Sequence, residues 1–152
     1  MAKELPWGVL ILFGGGLALA KGISESGLAK WLGEQLKMLD GVHPLVIVIV
    51  ITIFVLFLTE VTSNTATATM ILPILAALSV AVGVHPLLLM VPAAMAANCA
   101  YMLPVGTPPN AIIFGSGKLS IKEMAKVGFW VNLISAVIII VVVYFLMPHI
   151  LG

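Results

Sequence analysis

Arginine is absent, so the 7 basic residues are all lysine, and 6 acidic residues leave a net charge of +1. No basic patch is available to grip a phosphate backbone, which excludes a nucleic-acid partner. A single cysteine, Cys99, excludes an intrachain disulfide and argues against a cysteine-based metal centre. Charged residues make up 9% of the chain, where a soluble domain carries roughly 25%. Catalytic groupings are missing too. The apolar segments hold no nucleophile paired with a base and no metal cluster, so an enzyme finds no support. What remains is apolar: hydrophobic residues reach 62%, with a mean hydropathy of +1.24. This is the composition of an all-α membrane protein embedded in a lipid bilayer.

One polar stretch interrupts that background. Residues 59–69 read Thr-Glu-Val-Thr-Ser-Asn-Thr-Ala-Thr-Ala-Thr. The run before it, Pro44 to Leu58, has Thr52 as its only clearly polar side chain; the run after it, Met70 to Val84, has only Ser79. In lipid, an unpaired backbone group costs several kcal/mol, so uncoiled backbone survives there only when buried in protein or lining a cavity. The island therefore reads as the tip of a re-entrant helical hairpin spanning 44–82, with arms Pro44–Thr62 and Thr65–Val82.

The flanking segments fit a multi-pass chain. Residues 5–23 form a short first span in which Gly14-Gly15-Gly16 permits close helix approach. Ala18-Leu19-Ala20 resembles a signal cleavage site, but Lys3 is offset by Glu4 and the remainder is polytopic, so the span is expected to be retained. Residues 24–40 set Leu28, Trp31, Leu32, Leu36 and Leu39 at helical spacing among alternating charges, as in an amphipathic helix at the interface. Gly41-Val42-His43-Pro44-Leu45 recurs 42 residues later as Gly83-Val84-His85-Pro86-Leu87. Glycine stops one segment and proline opens the next, which places His43 and His85 at matching helix entrances, as caps.

A broken transmembrane helix follows over 86–116. Its first part is expected to run from Pro86 to Leu103, with Asn98 as an interhelical hydrogen-bonding group. Pro104-Val105-Gly106-Thr107-Pro108-Pro109-Asn110 cannot stay α-helical, and a short helix then covers Ala111 to Gly115. Residues 121–147 carry the last span. The loop holding Lys118, Lys122, Glu123 and Lys126 has the largest positive excess, so it belongs in the cytoplasm. Counting back puts the N-terminus in the cytoplasm and the C-terminus outside the cell membrane.

Two hydroxyl- and amide-rich interruptions in neighbouring apolar segments are the sequence pointer to a transporter binding site. Each precedes a helix start, where free N–H groups and the helix dipole favour an anion. Every lysine lies outside the apolar runs, so an anion held at depth needs a co-bound cation. Hydroxyl, amide and carbonyl oxygens suit a hard ion such as Na⁺. Thr59, Thr62, Ser63 and Asn64 offer them on one side, and the carbonyls around Gly106, with Asn110, on the other. Glu60 is the one acidic residue inside an apolar run. Such a group is a functional candidate by default. A proton-coupled role, an aqueous cavity or an upstream partner are open to it, with a supporting role near the site preferred.

The stretches Thr59 to Thr67 and Met102-Leu103-Pro104-Val105-Gly106-Thr107-Pro108-Pro109-Asn110-Ala111 resemble the divalent anion:sodium symporter family, the sodium–dicarboxylate and citrate transporters. The resemblance covers essentially the whole chain and is to the C-terminal half, the second inverted repeat. It implies that Ser63, Asn64 and Thr65 contact a substrate carboxylate, with Thr107 and Pro108 lining the same pocket. It also implies that Thr59, Thr62, Ser63, Asn64 and Gly106 form a sodium site. The family works as homodimers by an elevator motion and uses Na⁺ with no organic cofactor. Here only one Ser-Asn-Thr is present, so the partner N-terminal half is expected to lie elsewhere, and the chain alone is expected to be inactive. Alternatives are a non-transporting assembly module, an antiparallel homodimer, and transport of sulfate or another divalent anion.

Overall fold

The computed structural model of the protein describes residues 43–151 together with scattered positions between 11 and 31. The expected first span (5–23) and interfacial helix (24–40) lie outside the described residues apart from those positions.

Local sequence explains where each helix starts and stops. The first, α1 (Pro44–Val61), opens with proline at its first turn, while His43 Nδ1 accepts the Leu45 N–H at 3.3 Å. The device is repeated at α3 (Pro86–Ala96), where His85 Nδ1 accepts from Leu87 N at 3.3 Å. Both histidines are caps, as their spacing predicts. Between them, α2 (Asn64–Ala81) ends in a Schellman motif. Val84 N donates to Ser79 O at 2.9 Å and Gly83 N to Val80 O at 3.3 Å, with Gly83 at φ +71°. Helix α4 (Pro108–Gly115) starts at the two prolines, and α5 is Ile121–Leu151. A capping box opens α5: Glu123 N donates to Ser120 Oγ at 3.3 Å and Ser120 N to Glu123 Oε2 at 2.8 Å.

Helix α3 organises the packing, lying against both α1 and α2, while α5 covers α1 and α3. The two hairpin arms touch each other far less than each touches α3. Val48, Val55 and Leu56 of α1 pack with Leu89, Ala93 and Ala96 of α3 and with Ala136, Ile139 and Val143 of α5. The alanines let the helix backbones approach closely, as membrane helices require. Among the described residues, α1 and the Ile121–Met147 part of α5 are long and apolar enough to cross a membrane. At 1.5 Å per residue the former reaches about 27 Å.

The broken helix differs from expectation in its boundaries. Helix α3 stops at Ala96, short of Leu103, and α4 begins at Pro108, ahead of Ala111. Asn98 is also not an interhelical bridge: it is exposed, and its Nδ2 donates to Ala94 O of its own helix at 2.8 Å. The reason lies in tertiary contacts that capture the backbone between 97 and 103, which proline content alone does not reveal.

Candidate functional site

Residues 97–107 run as irregular chain with Ala97 and Ala100 buried, so the covered N–H and C=O groups need partners supplied from elsewhere. Side chains from α1 and α4 provide them. Glu60, in the last turn of α1 and 3% exposed, aims its carboxylate at the break. Oε1 accepts from Tyr101 N at 2.8 Å and Met102 N at 3.0 Å; Oε2 accepts from Met102 N at 3.0 Å and Leu103 N at 3.1 Å. Asn132 Nδ2, from α5, donates to Oε1 at 2.6 Å. A buried carboxylate survives when its lone pairs are filled by donors, and here both oxygens are.

The carbonyls of the break are tied on the other side. Asn110 Nδ2 donates to Ala100 O at 2.8 Å and to Leu103 O at 3.1 Å. Gly106 sits inside this turn: an added Cβ would lie 3.2 Å from Ala100 Cβ and 3.3 Å from Leu103 O. The expected sodium ligand Asn110 therefore spends its NH₂ group on holding the loop, and only its Oδ1 is left for an ion.

At the hairpin tip, Thr59 Oγ1 lies 2.8 Å from Asn64 Oδ1 and 2.8 Å from Ala97 O. One hydroxyl proton cannot serve two acceptors. Three oxygens converging on one proton form the kind of cluster that a hard cation resolves. With the Asn64 amide turned over, its NH₂ donates to Thr59 and the hydroxyl proton goes to Ala97, which accounts for both contacts without an ion. Thr62 and Thr67 hydroxyls are hydrogen-bonded to each other, and Thr62 Oγ1 also reaches Leu58 O at 2.8 Å.

The two helix starts are unequal as anion sites. Helix α2 begins at Asn64 with no side-chain cap from Ser63, and its first backbone bond is Thr67 N to Ser63 O at 2.8 Å. The N–H groups of Asn64, Thr65 and Ala66 thus point out of the helix end with no partner among the described residues. Helix α4 begins with two prolines, which have no N–H, and Asn110 N is capped by Thr107 Oγ1 at 3.4 Å. Donors for an anion come chiefly from α2, while Thr107 and Pro108 supply shape and a hydroxyl.

The structure brings Thr59 directly onto Asn64 and Gly106 beside Asn110, and ties the last turn of α1 to the break through Glu60 and Ala97 O. No hydrogen bond joins Ser63 or Thr65 to Thr107 or Pro108 among the described residues. A cavity of about 450 Å³ lies at the other end of α1, lined by His43, Pro44, Leu88, Tyr144 and His149 among others. Its walls are mostly apolar and it collects no such cluster of oxygens. Sequence reasoning missed Asn132 and Gly128, both facing the break from α5. Asn132 was findable, being an amide inside an apolar span, the same signal that singled out Glu60. Gly128 carried no signal: an added Cβ would lie 2.4 Å from Tyr101 O, a contact only the fold reveals.

Comparison with known proteins gives a consistent picture. The family described as the sodium:sulfate symporter transmembrane region matches residues 1–151. A sodium-dependent dicarboxylate transporter, SdcS, of Staphylococcus saprophyticus is 84% identical over 152 residues. SdcS of Staphylococcus aureus strains MRSA252 and COL is 89% identical over the same residues. Each alignment covers 100% of this chain and 29% of the relative's length.

Proposed function

The chain belongs to the sodium:sulfate symporter transmembrane family, and from that premise we propose that it supplies half of the binding site of a sodium-coupled dicarboxylate symporter. The observation that carries this reading is the uncapped N-terminus of α2 beside the Thr59–Asn64–Ala97 oxygen cluster. An anion and a cation are each offered ligands within a few residues.

In this reading Ser63, Asn64 and Thr65 present N–H and hydroxyl donors to one substrate carboxylate, with Thr107 and Pro108 closing the pocket. Oxygens of Thr59, Thr62, Ser63, Asn64 and Asn110, and the carbonyls around Gly106, hold Na⁺. The ion offsets the charge that helix dipoles alone leave uncompensated in a low-dielectric site. Coupling follows from shared residues: Ser63 and Asn64 serve both ligands, so filling the cation site orients the donors of the anion site. The hairpin over 44–82 is re-entrant and moves with the break as one body in an elevator cycle. The rest of the site comes from an N-terminal half, in a membrane-embedded homodimer with the N-terminus cytoplasmic and the C-terminus outside.

The test is uptake of radiolabelled succinate by proteoliposomes containing this chain together with the N-terminal part of a full-length relative. Asn64→Ala removes an ion ligand and a tip amide. Loss of one charge-assisted contact of about 1.5–3 kcal/mol lowers sodium affinity by about 10- to 100-fold. Sodium-driven uptake is expected to vanish at millimolar sodium; uptake at the unsubstituted rate would show the tip to be structural.

A further inference from the structure

The geometry points to Asn132 as a positioning residue for this transport site, acting through Glu60; the inference rests on the placement of ion and substrate proposed above. Asn132 is fully buried in the apolar span of α5, where a polar side chain is retained only against a cost. Among the described residues its Nδ2 gives the single side-chain hydrogen bond that Glu60 receives, at 2.6 Å, and its Oδ1 is buried with no partner. An amide whose other half is left unsatisfied is not there to stabilise its own helix. It is there for Glu60.

The remaining contacts of Glu60 all go to the amides of 101–103. A peptide unit points its N–H and C=O in opposite directions. Turning the Glu60 carboxylate therefore turns those three units together and with them the carbonyls of Ala100, Tyr101 and Met102. Ala100 O is the acceptor for Asn110, and the same amide reaches Leu103 O beside Gly106. The chain of contacts runs Asn132, Glu60, amides 101–103, Asn110, Gly106, ending in the proposed ion ligands. One turn before Asn132, Gly128 lies against the Tyr101 carbonyl, so α5 meets the break at two successive turns. This gives the last helix a direct hold on the geometry of the ion site, without touching ion or substrate.

Two measurements test the assignment. Asn132→Leu keeps the volume, removes the orphaned Oδ1 and frees the carboxylate. In the chain alone in detergent, amide exchange at 101–103 is expected to accelerate by about tenfold while the exchange of α1 and α3 stays unchanged. In the complemented proteoliposomes, the sodium concentration for half-maximal uptake is expected to rise by about three- to tenfold with a smaller change in maximal rate. The effect should also disappear in a Glu60→Gln background, where one acceptor oxygen is lost and the side chain no longer links Asn132 to the amides of 101–103. Asn132→Ser, too short to reach Glu60, is measured beside it and decides the matter if the leucine variant does not fold. Exchange at 101–103 and sodium dependence equal to wild type, or effects additive with Glu60→Gln, would overturn the assignment. An assembly with no sodium-driven uptake in its unsubstituted form counts against the transport reading instead, while the exchange measurement still decides the contact with Glu60.

Discussion

At the scale of single residues, what separates this molecule from a bundle of apolar helices is how it treats polar groups. Glu60 satisfies three successive amides that have no secondary structure to join, so the break is held open rather than left loose. Ser63 does the reverse. Serine is among the preferred N-cap residues, yet here its side chain leaves the end of α2 unsatisfied. An open helix end offers its free N–H groups and the positive end of its dipole to an anion. Ser63→Asp separates these roles, because aspartate caps well but places a negative charge where the substrate carboxylate would sit. Thermal stability of the complemented assembly is expected to hold or rise, while succinate binding measured by calorimetry falls by about 100-fold or more from like-charge repulsion. Unimpaired binding would move the anion away from the α2 terminus.

At the scale of elements, much was legible and the reasons are specific. The helix ends marked by Gly83, Pro44 and Pro86 follow from backbone chemistry that is local, and the two helices of the hairpin match their expected bounds within a residue. The repeat of the Gly-Val-His-Pro-Leu motif correctly signalled two capped entrances. The end of α3 was not legible, since Ala97 to Leu103 contains nothing that forbids a helix until Pro104. That segment is uncoiled because Thr59, Glu60 and Asn110 take its carbonyls and amides, contacts that are 7 to 43 residues apart in sequence. For the same reason the sequence does not reveal that the Asn110 NH₂ group holds the loop, which leaves Oδ1 as its one atom able to face an ion. The packing of α5 on the break was invisible as well. Gly128→Ala tests it: a methyl group 2.4 Å from Tyr101 O must push α5 away. Overpacking of this kind costs about 1–3 kcal/mol, so the thermal midpoint in detergent should fall clearly. An unchanged midpoint would mean that α5 does not press on the break.

At the scale of the whole molecule, the outer face of α5 is the clearest feature. Val127, Trp130, Ile134, Val137, Ile138, Val141 and Phe145 are all exposed. Such a face meets lipid or protein, not water. The α2 terminus is open in the same sense, since its Ser63 N-cap makes no side-chain hydrogen bond to the first turn. Both match a chain that spans 29% of the length of its relatives. The division of labour in the proposed reading is simple: the apolar surface fixes the environment, the Glu60 contacts fix the break, and the open oxygens and amides of the tip serve an ion and an acid.

The most direct measurement is an experimental density map of the complemented assembly prepared in sodium and succinate. The account predicts a cation ligated by Thr59, Asn64 and the carbonyls around Gly106, with a succinate carboxylate on the amides at the start of α2 and Thr107 beside it. A cation bound away from these oxygens, or a carboxylate lodged elsewhere while the end of α2 is covered by protein, would contradict it.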